Sequence, residues 1–93
     1  MIKIIKTNLG SSVIDSVAYV NKRKSEQGSV LLVKFTNGKV YTYSGVPLYE
    51  ITGLLDSSSY GRYFNEEIKG TYKSAAVSLD IEQLADMLAA KEN

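Results

Sequence analysis

The chain has 93 residues, 44 % of them hydrophobic, with a formal net charge of +1 and neither cysteine nor histidine. One domain suits that length, disulfides and thiolate chemistry are excluded, and the commonest general base and transition-metal ligand is missing. No apolar run approaches the roughly 18 residues of a membrane span, and the start at Met1-Ile-Lys-Ile-Ile-Lys6 is too short for a signal-peptide core. We expect a cytoplasmic protein, whether in a cell or in an infected host.

Residues 1–7 alternate, with Ile2 and Ile4 on one face and Lys3 and Ile5 on the other, and read as a strand. Residues 13–20 are rich in β-branched and aromatic side chains and read as a second, with Val13, Val17 and Tyr19 on one side. The polar run Asn21-Lys-Arg-Lys-Ser-Glu-Gln-Gly28 is a turn or hairpin tip. Its Lys22-Arg23-Lys24 is either a steering patch for nucleic acid or a solvated loop.

Asn37-Gly38 between two strand-like runs predicts a two-residue type I′ hairpin, because both residues tolerate positive φ. That turn pairs Phe35 with Val40 and Lys34 with Tyr41. Leu31, Val33, Phe35, Val40 and Thr42 then form the face toward the helices. Leu32, Lys34, Tyr41 and Tyr43 form the other.

Pro47 opens a short helix to about Leu55, the run from Asp56 to Ser59 interrupts it, and residues 61–69 form a second helix stopped by Gly70. Residues 79–91 form a third, capped by Ser78, with an apolar stripe of Ile81, Leu84, Ala85 and Leu88. The expected fold is α+β: an antiparallel meander of about four strands, two short helices and a C-terminal amphipathic helix, all in one domain over 1–93.

Charge divides along the chain. Up to Val46 seven basic residues oppose two acidic ones, a balance of +5, and from Pro47 onward four oppose eight, a balance of −4. Such a split favours an anionic ligand on one side.

Residues 13–73 resemble the KTSC domain, named for its place at the C-terminus of some lysyl-tRNA synthetases and also found in small stand-alone proteins of bacteria and phages. The resemblance is carried by the strand from Ser16 to Tyr19, the hairpin Leu32-Val-x-Phe-x-Asn-Gly38, Tyr41-Thr-Tyr43, Val46-Pro47, and Ser59-Tyr-Gly-Arg-Tyr-Phe-Asn65 with Ile68 and Tyr72. It implies the fold above and, from the synthetase context, RNA binding; it implies no activity. The first strand and the last helix lie outside it.

The most chemical-looking segment is Ser59-Tyr60-Gly61-Arg62 at a helix start. Unpaired N–H groups there, a glycine that admits close approach and a guanidinium together suit phosphate. The competing reading has Ser59 as a cap and Arg62 paired with Glu66. Tyr41 and Tyr43, with Lys34 across the ladder, either stack bases beside a cation or fill a second core layer. Asn65 either contacts a ligand or bonds backbone. Glu66 and Glu67 project about 100° apart on a helix and make a poor acid–base couple, and no phosphate loop, metal-spaced cluster or dinucleotide fingerprint occurs.

The expected function is therefore non-catalytic, without cofactor or metal: a module binding RNA or a small nucleotide through Lys34, Tyr41, Tyr43, Ser59, Gly61, Arg62 and Asn65. The alternatives are a phage-type anti-defence protein that sequesters a small nucleotide signal, and an interaction module forming a homo-oligomer through its C-terminal helix.

Overall fold

A computed structural model of the chain describes residues 2–21 and 28–90. Five antiparallel strands follow one another across a single sheet in the order of the sequence. They are β1 (Ile2–Lys6), β2 (Ile14–Asn21), β3 (Ser29–Phe35), β4 (Val40–Ser44) and β5 (Lys73–Val77). Between β4 and β5 come α1 (Leu48–Asp56) and α2 (Tyr60–Tyr63), the latter continuing as a π-helical turn over Phe64–Ile68. The chain then closes with α3 (Ile81–Ala90). The α+β meander stands as expected, with a fifth strand added after the short helices. The basic run Lys22-Arg23-Lys24 and Lys91 lie outside the described residues.

Both sheet faces are covered. On one, Val17, Tyr19, Leu31, Val33 and Tyr43 pack under Val46, Ile51, Leu54, Phe64 and Ile68 of the α1–α2 layer. On the other, Ala18, Val20, Leu32 and Val40 pack under Ile81 and Ala85 of α3. The apolar stripe of α3 thus rests on its own sheet. Two basic strand residues also meet this helix segment: Lys3 pairs with Asp86, and Lys34 with Asp80 at 4.0 Å. Part of the charge split is therefore answered within the molecule. Asp80 also takes the capping place expected of Ser78, since the Leu84 N–H donates to its carbonyl at 3.0 Å.

The β3–β4 turn corrects the expected register. Phe35 N–H donates to Lys39 O and Gly38 N–H to Phe35 O, each at 2.9 Å, so the loop has three residues. Only Gly38 takes positive φ, at 89°. Asn37 stays right-handed, and its Oδ1 accepts the Lys39 N–H at 2.9 Å. This is a type I turn with a glycine bulge rather than type I′. One residue of slip moves every side chain of β4 to the opposite face. Lys34 now faces Val40, while Val33 faces Tyr41 and Leu31 faces Tyr43. Both tyrosines consequently join Leu31, Val33 and Phe35 beneath the short helices, and Lys34 stands on the α3 face. A bulge between Ile14 and Ser16 similarly places Ile14, not Val13, in the core.

A buried carboxylate ties the short helices together. Glu50 in α1 is 5 % exposed, and its two oxygens accept hydrogen bonds from the hydroxyls of Tyr63 and Tyr72, each at 2.8 Å. Gly53, one turn along, makes room: a Cβ there would lie 2.3 Å from the Tyr63 hydroxyl. Near the β2–β3 end, the hydroxyls of Tyr19 and Ser29 both donate to Val46 O, at 2.7 and 2.6 Å, anchoring the entry to α1.

Candidate nucleotide-binding pocket

The three-residue turn brings the residues of an aromatic pocket together. Tyr41 and Tyr43 project from β4 toward the π-helical turn, where Phe64 and Ile68 are the inward residues. Phe35 meets Tyr41 edge-on with ring centroids 5.8 Å apart and meets Phe64 at 5.4 Å, while Phe64 meets Tyr43 at 5.3 Å. Edge-to-face packing of this kind holds the rings in fixed orientations. Burial, with Tyr41 alongside, pushes the Tyr43 hydroxyl above its ordinary value, so it remains a neutral donor at physiological pH.

The cavity beside these rings has a volume of about 340 Å³. Val13, Phe35, Tyr41, Tyr43 and Phe64 line it, together with the polar Asn65, Lys69 and Ser74 and the backbone of Gly70. An aromatic wall with a few polar groups and one ammonium at the rim suits a flat, anionic molecule. The volume lies at the small end of ligand pockets, a scale that fits one nucleotide.

Of the residues singled out in the sequence, Tyr41, Tyr43 and Asn65 converge here. Lys34 does not, because it stands on the opposite face against Asp80. Ser59, Gly61 and Arg62 occupy neighbouring ground. The Ser59 hydroxyl accepts the Arg62 N–H at 3.3 Å and so caps α2. Gly61 packs on Val13, whose side chain lies 3.4 Å from where a Cβ would stand. The expected Arg62–Glu66 pair does not form: these residues border a shallow depression of about 100 Å³ with Ser57, Ser58, Ser59 and Tyr63. A second depression of about 230 Å³, lined by Gly10, Ser11, Ser12, Ser58, Ser59 and Tyr60, adds hydroxyls on the other side of Ser59.

Sequence reasoning missed Phe35, Phe64, Lys69 and Ser74. Phe35 and Phe64 were legible as apolar, yet only the true register brings them against the tyrosines. Lys69 and Ser74 depend on the π-helical turn and on β5. Among the described residues no group of three or more acidic side chains is placed to hold a metal ion, and no helix is long and apolar enough to cross a membrane.

Comparison with known proteins agrees with the architecture. A protein of Stutzerimonas stutzeri (strain A1501) is 34 % identical over 61 residues, which is 66 % of this chain and 79 % of that protein. The crystal structure of a KTSC domain protein from Yersinia pestis superimposes with a TM-score of 0.69 at 25 % identity, covering 83 % of this chain and all of that one. The KTSC domain model matches residues 10–72, a span running from the loop before β2 to the residue before β5, and the chain belongs to the KTSC domain family.

Proposed function

We propose that the protein is a non-catalytic binding module for RNA or nucleotide phosphates, taking one base in the cavity against the wall formed by Tyr41, Tyr43, Phe35 and Phe64. The carrying observation is the pocket of about 340 Å³, in which aromatic walls meet the amide of Asn65, the ammonium of Lys69 and the hydroxyl of Ser74. A base buries its face on the rings while Asn65 and Ser74 supply donors and acceptors for its edge. Lys69 serves a phosphate, and the exposed Arg62 gives a following phosphate a second cation. Among the described residues no paired acid and base borders the cavity, which supports binding without turnover.

The size of the pocket favours a second reading within the same chemistry. One nucleotide, not a long strand, fills it, as sequestration of a small nucleotide signal by a phage-type anti-defence protein requires. Titration calorimetry with mononucleotides, cyclic dinucleotides and short single-stranded RNAs separates the two. Tyr41→Ala is expected to weaken the productive ligand by about 1–3 kcal/mol, the range for loss of one base–aromatic stack. Equal affinity of wild type and Tyr41→Ala for every ligand would exclude this pocket as the site.

A further inference from the structure

The geometry points to β5 as a pairing edge for a second copy of this chain, joined antiparallel about Ala75. The ladder itself says which backbone groups are free. Phe35 and Lys39 form the hydrogen-bonded pair that closes the β3–β4 hairpin. In an antiparallel ladder such pairs alternate with non-bonded ones. Tyr41 and Tyr43 therefore direct their backbone groups to β3, and Val40, Thr42 and Ser44 direct theirs to β5. Their partners across that ladder are Val77, Ala75 and Lys73. The bond from the Thr42 hydroxyl to Ala75 O, at 3.4 Å, agrees with this. Ser74 and Ala76 are left with N–H and C=O groups pointing away from the sheet.

β5 is the last strand of the sheet, and four of its five residues are exposed. Sheet edges are ordinarily blocked by lysines, prolines, bulges or a covering element. β1, the opposite edge, carries Lys3 and Lys6 within its five residues. β5 has a single lysine at its first position, and Ser-Ala-Ala follows with no charge and no bulk.

The edge is also complementary to itself. With the two-fold axis at Ala75, Ser74 of each copy lies opposite Ala76 of the other, and each such pair exchanges two backbone hydrogen bonds. Lys73 faces Val77, so no like charges meet. Ala75 meets its own counterpart in the close, non-bonded position, where its small side chain offers no bar to approach. A contact of five residues per copy falls below the standard interface size, which makes the dimer a weak one that depends on concentration.

Ser74 lines the aromatic pocket from β5. Pairing lays Ala76 of the second copy beside Ser74, with Tyr41 of that copy one strand further on the same face. The two pockets then open onto one continuous surface, and this part rests on the nucleotide-binding reading above. A nucleotide that contacts both copies tightens the dimer by mass action.

Sedimentation velocity of the full chain over a wide concentration range tests the pairing. The expected result is a reversible shift from monomer to dimer that Ala76→Pro abolishes, since proline removes an outward N–H and spares the bonds to β4. Ala75→Glu and Ala75→Lys provide a check that does not depend on tolerance of proline. Each is expected to be monomeric alone through like-charge repulsion, and an equimolar mixture is expected to dimerise. A protein that stays monomeric at every concentration overturns the proposal, as does a dimer indifferent to all three substitutions. Mononucleotide binding by a strict monomer would leave the pocket reading standing and remove the pairing. Dimers through β5 that bind none of the nucleotides tested would do the reverse.

Discussion

Gly53 shows how one missing methyl group shapes the helical layer. Mid-helix glycine costs about 1 kcal/mol against alanine, yet a Cβ here would stand 2.3 Å from the Tyr63 hydroxyl that bonds Glu50. Gly53→Ala is therefore expected to turn the phenol away instead of stabilising the helix. The helix gain and the lost hydrogen bond oppose each other, and the unpaired oxygen left on a buried carboxylate decides the sign, for a net loss of about 1–2 kcal/mol. Urea denaturation checks the sign. Ultraviolet titration of tyrosinate supplies an independent readout. Burial first, then the hydrogen bond to Glu50, pushes Tyr63 up to about 12, and the same causes raise Tyr72 still further. Gly53→Ala is expected to return one tyrosine toward the ordinary range near 10. In the wild type both phenols hold their protons more tightly folded than unfolded. Stability from this source is thus complete below about pH 10, the unfolded value, and is lost as pH rises through the folded values. Denaturation midpoints measured on either side of that point should be flat below it and fall above it. A midpoint that rises in alkali would show that the phenols are not held as described.

Among the elements, the β3–β4 hairpin decides where the site lies. Asn37-Gly38 is compatible with a two-residue type I′ loop and with a three-residue loop ending in a glycine bulge. Asn37 settles the choice by accepting the Lys39 N–H through its own side chain, which keeps its backbone right-handed. The alternation of apolar residues could not have arbitrated, because both sheet faces are covered and both are apolar. For the same reason Tyr41 and Tyr43 were legible as a pair on one face, while the face itself was not. β5 escaped notice because Ser74, Ala75 and Ala76 lack β propensity; the open edge of β4 recruits them. The presence of the helical segments and the stripe of α3 was plain, since the 3.6-residue period depends only on local sequence, whereas α3 starts later than expected because Asp80 and not Ser78 holds the cap position. Gly38→Ala tests the turn. With φ at 89° an alanine is strained, and the expected loss is about 1–2 kcal/mol. Asn37→Gly should cost far less if the backbone alone sets the loop, and comparably if the side-chain bond to Lys39 holds the register. Thermal unfolding of both variants discriminates these.

Across the whole molecule, α3 governs how much positive charge the protein presents. Lys3 and Lys34 belong to the basic first half, yet Asp86 and Asp80 meet them on the α3 face. Exposed pairs of this sort add at most about 1 kcal/mol each to stability, so their larger consequence is electrostatic. They mask a surface that would otherwise attract any polyanion. Among the described residues the cations lining the pocket and the depression beside it are then few: Lys69 at the pocket's rim and Arg62 beside it. Single-stranded ligands release about 0.7 counterions per neutralised phosphate. Two such contacts predict a slope of about −1.4 for log K against log salt, much shallower than a dedicated RNA-binding groove would show. Arg62→Ala should halve that slope, whereas Tyr41→Ala should lower affinity and leave it unchanged, because stacking releases no ions. Unmasking the other face makes the contrast sharper. Asp80→Asn with Asp86→Asn frees Lys3 and Lys34, and the doubly substituted protein should gain weak, length-dependent binding to RNA with a steeper slope, competing poorly with a mononucleotide for the pocket. If instead the wild type already shows a steep slope that Arg62→Ala barely alters, the ligand lies along some other basic surface, and the aromatic pocket is part of the core.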